Sequence, residues 1–235
     1  MIINHKYQFI YLKTRKTAST SIEIALRKFC DANDIITPIP PDDEIIARDR
    51  GAIGPQNYNE GYPPFQNHSN AAFIKEKLGV ERWNSSFKFC FERNPFDKAI
   101  SRYYWDKEKC KQKYEYSKAY YHSKNKEVPE YIPLPEINDY LSSIEEQFLS
   151  SWNIYTINNR IAVDFIGRHE NLLNDLKTIK DKLGLPNELS LPEAKKGYRL
   201  DQRHYSKILN EQTRFRIEKI CSREMEMFGY HWTTT

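Results

Sequence analysis

One short stretch near the start limits the possible folds more than any other. Tyr7-Gln8-Phe9-Ile10-Tyr11-Leu12 is a compact apolar and aromatic run of the kind that forms a buried strand. It leads directly into the polar segment Lys13–Ser21. Next come Ile22, Ile24, Ala25, Leu26 and Phe29, interleaved with Glu23, Arg27 and Lys28, the pattern of an amphipathic helix. A strand feeding a helix through such a loop aims backbone N–H groups and the positive end of the helix at one spot, which favours an anion. Thr14, Thr17, Ser19, Thr20 and Ser21 add hydroxyl donors, and Lys16 adds a mobile point charge. An ordinary helix cap needs one hydroxyl, not a cluster of them beside Lys13, Arg15 and Lys16. The loop contains no glycine, so it does not match G-x-x-x-x-G-K-[ST] and does not wrap a nucleoside triphosphate in that way.

The rest of the chain alternates strands with helices. Ser86–Glu92 reads as a strand, and Asn94 and Pro95 suit the cap and first turn of a helix reaching about Lys109. Helices are expected over 70–78, 136–151, 170–183 and 207–227, with a short strand at Ala162–Ile166. That alternation implies an α/β fold with a central parallel β-sheet flanked by helices, in a single domain over 1–235. Two stretches stand apart. Residues 31–67 hold six of the 12 prolines, and 110–135 are rich in Lys and Tyr.

Composition removes several classes. With 36 basic and 32 acidic residues the net charge is +4, too small for a nucleic-acid binder on global charge. The positive charge is concentrated, however: 11–28 carry +4, 88–113 carry +4 and 195–216 carry +5, against −9 for everything else. There is no apolar run long enough to span a bilayer, and the start has no signal-peptide pattern. Cys30, Cys90, Cys110 and Cys221 lack CxxC spacing, which fits free thiols in a reducing compartment, an expected cytoplasmic location and no zinc site.

The second chemistry-bearing constellation is Arg93-Asn94-Pro95-Phe96-Asp97, followed by Ser101 and Tyr103. Arg93 closes a strand, and in a parallel sheet the carboxyl edge is where ligands bind. A guanidinium and a hydroxyl there suit a phosphate clamp; an Arg93–Asp97 ion pair beside an ordinary capped helix explains the same residues equally well. Taken in order, Lys16-Thr17-Ala18-Ser19-Thr20-Ser21 and this second motif resemble the sulfotransferases that use 3′-phosphoadenosine-5′-phosphosulfate (PAPS). The likeness is nearest to the carbohydrate (heparan 2-O-like) branch and its bacterial relatives. Phe165–Leu172 and Met227-Phe228-Gly229-Tyr230 also resemble that family's late strand and C-terminal end.

The resemblance implies a sulfotransferase fold, PAPS as co-substrate, PAP as product and no metal. It makes Lys16, Thr17, Ala18, Ser19, Thr20 and Ser21 the 5′-phosphosulfate loop, with Lys16 catalytic beside the departing phosphate and Arg15, which stands where many relatives have Pro, an adjoining cofactor-binding residue. Arg93 and Ser101 would hold the 3′-phosphate, and Lys196 and Arg199 would belong to a late loop over the nucleotide. The acceptor would be a hydroxyl, on a glycan in this branch, chosen by 31–67 and 110–135. The implied general base is His68, where related carbohydrate enzymes place a histidine; His122, His169, Glu44 and Glu60 are weaker candidates. Two other readings stay open: a phosphotransferase using a nucleoside triphosphate, and a non-catalytic module that binds a nucleotide or a sulfated ligand.

Overall fold

The computed structural model describes residues 1–192 and 199–234. These residues cluster into two compact units, each made of two separate stretches: 1–93 with 151–192, and 94–150 with 199–234.

The chain runs through β1 (Ile2–Asn4), β2 (Phe9–Tyr11), α1 (Ser19–Arg27), β3 (Ile35–Ile36), α2 (Pro41–Asp49), α3 (Ala71–Leu78), α4 (Val80–Ser85) and β4 (Phe87–Glu92). α5 (Pro95–Ser123) and α6 (Ile137–Ser143) then begin the second unit. The first unit resumes with α7 (Trp152–Tyr155), the β5 (Thr156–Ile157) and β6 (Arg160–Ile161) hairpin, β7 (Phe165–Arg168) and α8 (Leu172–Leu183). α9 (Glu211–Ile220) and α10 (Ser222–Phe228) complete the second unit.

The first unit holds the sheet, in the order β3-β1-β2-β4-β7. β2, β4 and β7 are mutually parallel neighbours, with Phe9 opposite Phe87 and Phe89 opposite Phe165. β1 and β3 add an antiparallel edge that the sequence pattern did not signal, because these strands have only three and two residues. Successive strand residues point to opposite faces, and here both faces are apolar. Ile2, Phe9, Tyr11, Phe89 and Phe91 pack with Ile22, Ala25 and Leu26 of α1 and Leu176 and Ile179 of α8. Ile3, Ile10 and Cys90 face the other way, onto Ala71 and Ile74 of α3, Trp83 of α4, and Ile154 and Tyr155 of α7. Gly167 of β7 lies opposite Phe91, and a Cβ there would clash with the Phe91 ring, well inside contact distance. Only glycine fits.

In the second unit, Phe96, Ala99 and Ile100 of α5 pack with Leu141, Tyr205, Leu209, Ile217 and Cys221. Asn94 caps α5 through the Phe96 N–H, and Pro95 takes the first position, as the sequence predicts. The helix does not stop near Lys109, however; it runs 29 residues, about 43 Å. None of its residues beyond Tyr103 is buried. No apolar face marks this extension in the sequence, and good helix formers without Gly or Pro sustain it. The expected helix over 136–151 is instead α6 followed by a 3₁₀ turn at Glu146–Phe148. The final helix is divided at Cys221 into α9 and α10.

Candidate active site

The loop from β2 to α1 is anchored from below by two of its own hydroxyls. Thr14 is fully buried and donates to the Phe91 carbonyl of β4. Its single proton is thereby committed, so the Thr17 hydroxyl, 2.9 Å away, donates to Thr14 Oγ1. Two of the five hydroxyls therefore build the loop. The Arg15 N–H is directed to the buried Ser151 hydroxyl at 3.4 Å.

Lys16 and Ala18 both adopt left-handed backbone, with φ 60° and 58°. That conformation costs a non-glycine residue roughly 1–2 kcal/mol. Alternation with left-handed residues turns successive N–H groups toward one concavity, a nest for an anion. Ala18 is also the N-cap of α1, where it makes no side-chain cap bond, and the first turn carries no acid. The dipole and the N–H groups of the first turn are thus directed at the loop with no carboxylate among them. A loop without glycine reaches this shape because Thr14 and Thr17 hold it there.

Since β2 and β4 are parallel, their carboxyl ends share one edge of the sheet. Arg93 follows β4 at that edge, and its Nη1 donates to the Lys16 carbonyl at 3.4 Å. Glu92 is fully buried, and its carboxylate accepts from the Arg93 backbone N–H at 3.1 Å.

His68 joins the same loop. Its Nδ1 lies 2.7 Å from the Lys13 carbonyl oxygen. A carbonyl only accepts, so Nδ1 carries the proton and Nε2 presents a lone pair. Burial lowers the ring's pKa to about 3; the bond to Lys13 opposes this, and the charges of Arg15 and Lys13 add to the lowering. The imidazole is neutral at physiological pH.

Behind the loop is an ion-pair network that the sequence pattern left unremarked. Glu23 of α1 is fully buried, with Lys13 Nζ at 2.7 Å and Arg27 Nη2 at 2.8 Å. Burial raises its carboxyl, but Lys13, then the Met1 ammonium and Arg27 more than offset this and hold it at about 2. Helical periodicity placed Glu23 on a polar face; the signal available was an acid four residues before Arg27 on one face of the helix. Asn67 was also missed, and its Oδ1 accepts from Lys13 Nζ at 3.2 Å.

The remaining expected site residues are more scattered. Ser101 lies in the second turn of α5, in the second unit. Arg199, in the same unit, donates through Nη1 to Asp97 at 2.7 Å, and through Nε and Nη2 to the Asp201 and Arg203 carbonyls. Asp97 therefore pairs with Arg199. Lys196 lies outside the described residues. Of the alternative bases, Glu44 is engaged by Arg27 and by the Ile39 N–H, both at 2.8 Å, while Glu60 and His122 are exposed. His169 sits in a 3₁₀ turn after β7.

Among the described residues, no group of three or more His, Cys, Asp or Glu side chains is placed to hold a metal, and no helix is long and apolar enough to cross a membrane. The four cysteines are free thiols.

An uncharacterized protein from Archaeoglobus fulgidus is 31% identical over 121 residues, which is 52% of this chain and 87% of that protein. No solved structure gives a meaningful match. The profile of the sulfotransferase family matches residues 1–231, across the β2 loop, the β4 edge and the C-terminal helices alike. The chain belongs to the sulfotransferase family.

Proposed function

We propose that this protein moves the sulfuryl group of PAPS to an acceptor hydroxyl on a carbohydrate, releasing PAP. The observation that carries this reading is the glycine-free nest: left-handed Lys16 and Ala18 at the start of an α1 first turn without acids, beside Arg93. A loop without glycine favours a compact phosphosulfate over a wrapped triphosphate. Sulfuryl transfer breaks the bond from sulfur to the bridging oxygen as a bond to the acceptor oxygen forms, so negative charge grows on the departing phosphate. Lys16 and the N–H groups of residues 17–21 stabilise that charge without reorganising. Arg93 supplies charge for the 3′-phosphate; Ser101, Lys196 and Arg199 carry that role through the family resemblance alone, and Arg199 is engaged by Asp97 and the Asp201 and Arg203 carbonyls. His68 Nε2 takes the proton of the attacking hydroxyl.

The carbohydrate acceptor is supported by the outer part of α5. Tyr116 and Tyr120 are 81% and 53% exposed there, amid lysines, while Tyr114 packs on Tyr131. Exposed aromatic faces suit sugar rings. The test is transfer of radiolabelled sulfate from PAPS across glycans, lipids, peptides and small alcohols. Labelled glycan that disappears in His68→Ala is expected; tighter binding of ATP with Mg²⁺ than of PAP in a thermal shift would overturn the reading.

A further inference from the structure

Lys13 touches the His68 segment at both of its ends. Its carbonyl accepts from His68 Nδ1 at 2.7 Å, and its ammonium donates to Asn67 Oδ1 at 3.2 Å. These two partners are consecutive residues at the far end of the 31–67 excursion. The Asn67 amide orientation is set by chemistry: Nδ2 donates to the Pro38 carbonyl, and Oδ1 faces both Lys13 Nζ and the Thr37 hydroxyl at 3.1 Å. Beyond His68 the segment is pinned to itself, with Ser69 Oγ accepting from the Gln66 N–H and Asn70 capping α3.

A lysine is not needed merely to present a carbonyl. This ammonium is 4% exposed, and burying it is costly unless it is paired. Glu23 supplies the pairing at 2.7 Å from the α1 helix whose first turn closes the anion nest. On the same strand-to-loop segment, the next residue, Thr14, is tied to Phe91 of β4. Lys13 thus connects three things: α1, the loop and the histidine.

We propose that Lys13 is a positioning residue, a two-point latch that fixes His68 in its Nδ1-protonated tautomer with Nε2 turned to the reaction, and that Asn67 is the second point of that latch. The catalytic part of this inference rests on the sulfotransferase reading of His68; the tautomer part does not. A ring held this way needs no change of tautomer or rotation before it accepts a proton, which is the use of such orienting partners in acid–base catalysis.

The test uses Asn67→Leu and Lys13→Met in the full chain, with circular dichroism to check folding. Lys13→Met leaves Glu23 short of a buried partner and is the variant at risk; Asn67→Leu keeps the Lys13–Glu23 pair and carries the test if the other fails to fold. Long-range ¹⁵N–¹H NMR of the ring, read without donor or acceptor, reports the tautomer. In the wild type we expect His68 protonated on Nδ1. In the variants we expect a mixture weighted toward Nε2–H, a ring that titrates at higher pH, at least a tenfold fall in kcat and PAP affinity within twofold of wild type. An Nε2–H ring in the wild type, or an unchanged ring in the folded variants, overturns the latch. Absence of any sulfotransfer by the wild type counts against the function instead, and the ring spectra still decide the latch.

Discussion

The Arg93 guanidinium donates to the Lys16 carbonyl at 3.4 Å, joining the end of β4 to the crest of the loop that follows β2. One residue thus supports the nest and presents charge beside it. Arg93→Ala should keep the fold, lower PAP affinity about 10–100-fold, as expected for losing charge-assisted hydrogen bonds of roughly 1.5–3 kcal/mol, and abolish measurable turnover. Lys16→Ala should instead leave PAP affinity closer to wild type while kcat falls by about 10²–10³, since its charge acts on the departing phosphate. Calorimetric titration with PAP and single-turnover assays separate the two; full activity in either variant would sink the assignment.

Ala18 provides a test of loop shape. At φ 58° it carries a steric penalty that glycine lacks. Ala18→Gly should leave stability within about 1 kcal/mol, because the relief of strain offsets glycine's larger unfolded-state entropy, and PAP binding should persist. Ala18→Val, β-branched in a left-handed position, should lose both PAP binding and about 2 kcal/mol or more. Denaturant melts with and without PAP give both readings, and tight PAP binding by Ala18→Val would refute the nest.

Gly167→Ala tests the centre of the sheet. The added methyl would clash with the Phe91 ring, and Phe91 is fully buried under α1 and α8. Overpacking of this kind costs about 1–3 kcal/mol. Because Phe91 also supplies the carbonyl that anchors Thr14, PAP affinity should fall along with stability. A lowered denaturation midpoint with unaltered PAP affinity would show that the loop is insulated from the sheet.

Much of this arrangement was legible because it is local. Tyr7–Leu12, the hydroxyl-rich loop and the apolar spacing of 22–29 lie within about twenty residues, and each follows a short-range rule. Asn94 and Pro95 start α5 for the same reason. What stayed hidden depends on pairing across the chain. No local pattern says that Thr14 and Thr17 face Phe91, so they read as ligand donors when they are scaffold. Nor could spacing reveal that Lys13 and Arg27 serve the buried Glu23, so part of the positive charge concentrated in 11–28 is internal. β1 and β3 are too short to show a period, and the outer half of α5 has no apolar stripe to follow. Asp97, which local spacing offered to Arg93 as an alternative partner, pairs instead with Arg199, about a hundred residues away.

The half-buried histidine fixes an acid limit to stability. His68 in the folded chain has its pKa lowered to about 3 by burial, against roughly 6.5 when unfolded. Between those values the unfolded chain binds the proton and the folded chain does not. Stability therefore falls as pH drops from about 6.5 toward 3, by an amount on the order of 4 kcal/mol, and this contribution levels off below the folded value. Glu23 adds a second loss at lower pH: its carboxyl is held at about 2, so its stabilisation is present above roughly pH 4.3 and disappears as pH falls through the folded value. Urea melts at half-unit intervals from pH 7.5 to 4 should show a steepening decline in the wild type. In His68→Asn the decline between pH 6.5 and 4.5 should be shallower by about one proton's slope, roughly 1.4 kcal/mol per pH unit. Identical slopes in the two proteins would mean that His68 is not held neutral. The kinetic counterpart has the same sign. A base already neutral in the free enzyme predicts no inflection of kcat/KM near pH 6.5, whereas an unperturbed imidazole would produce one.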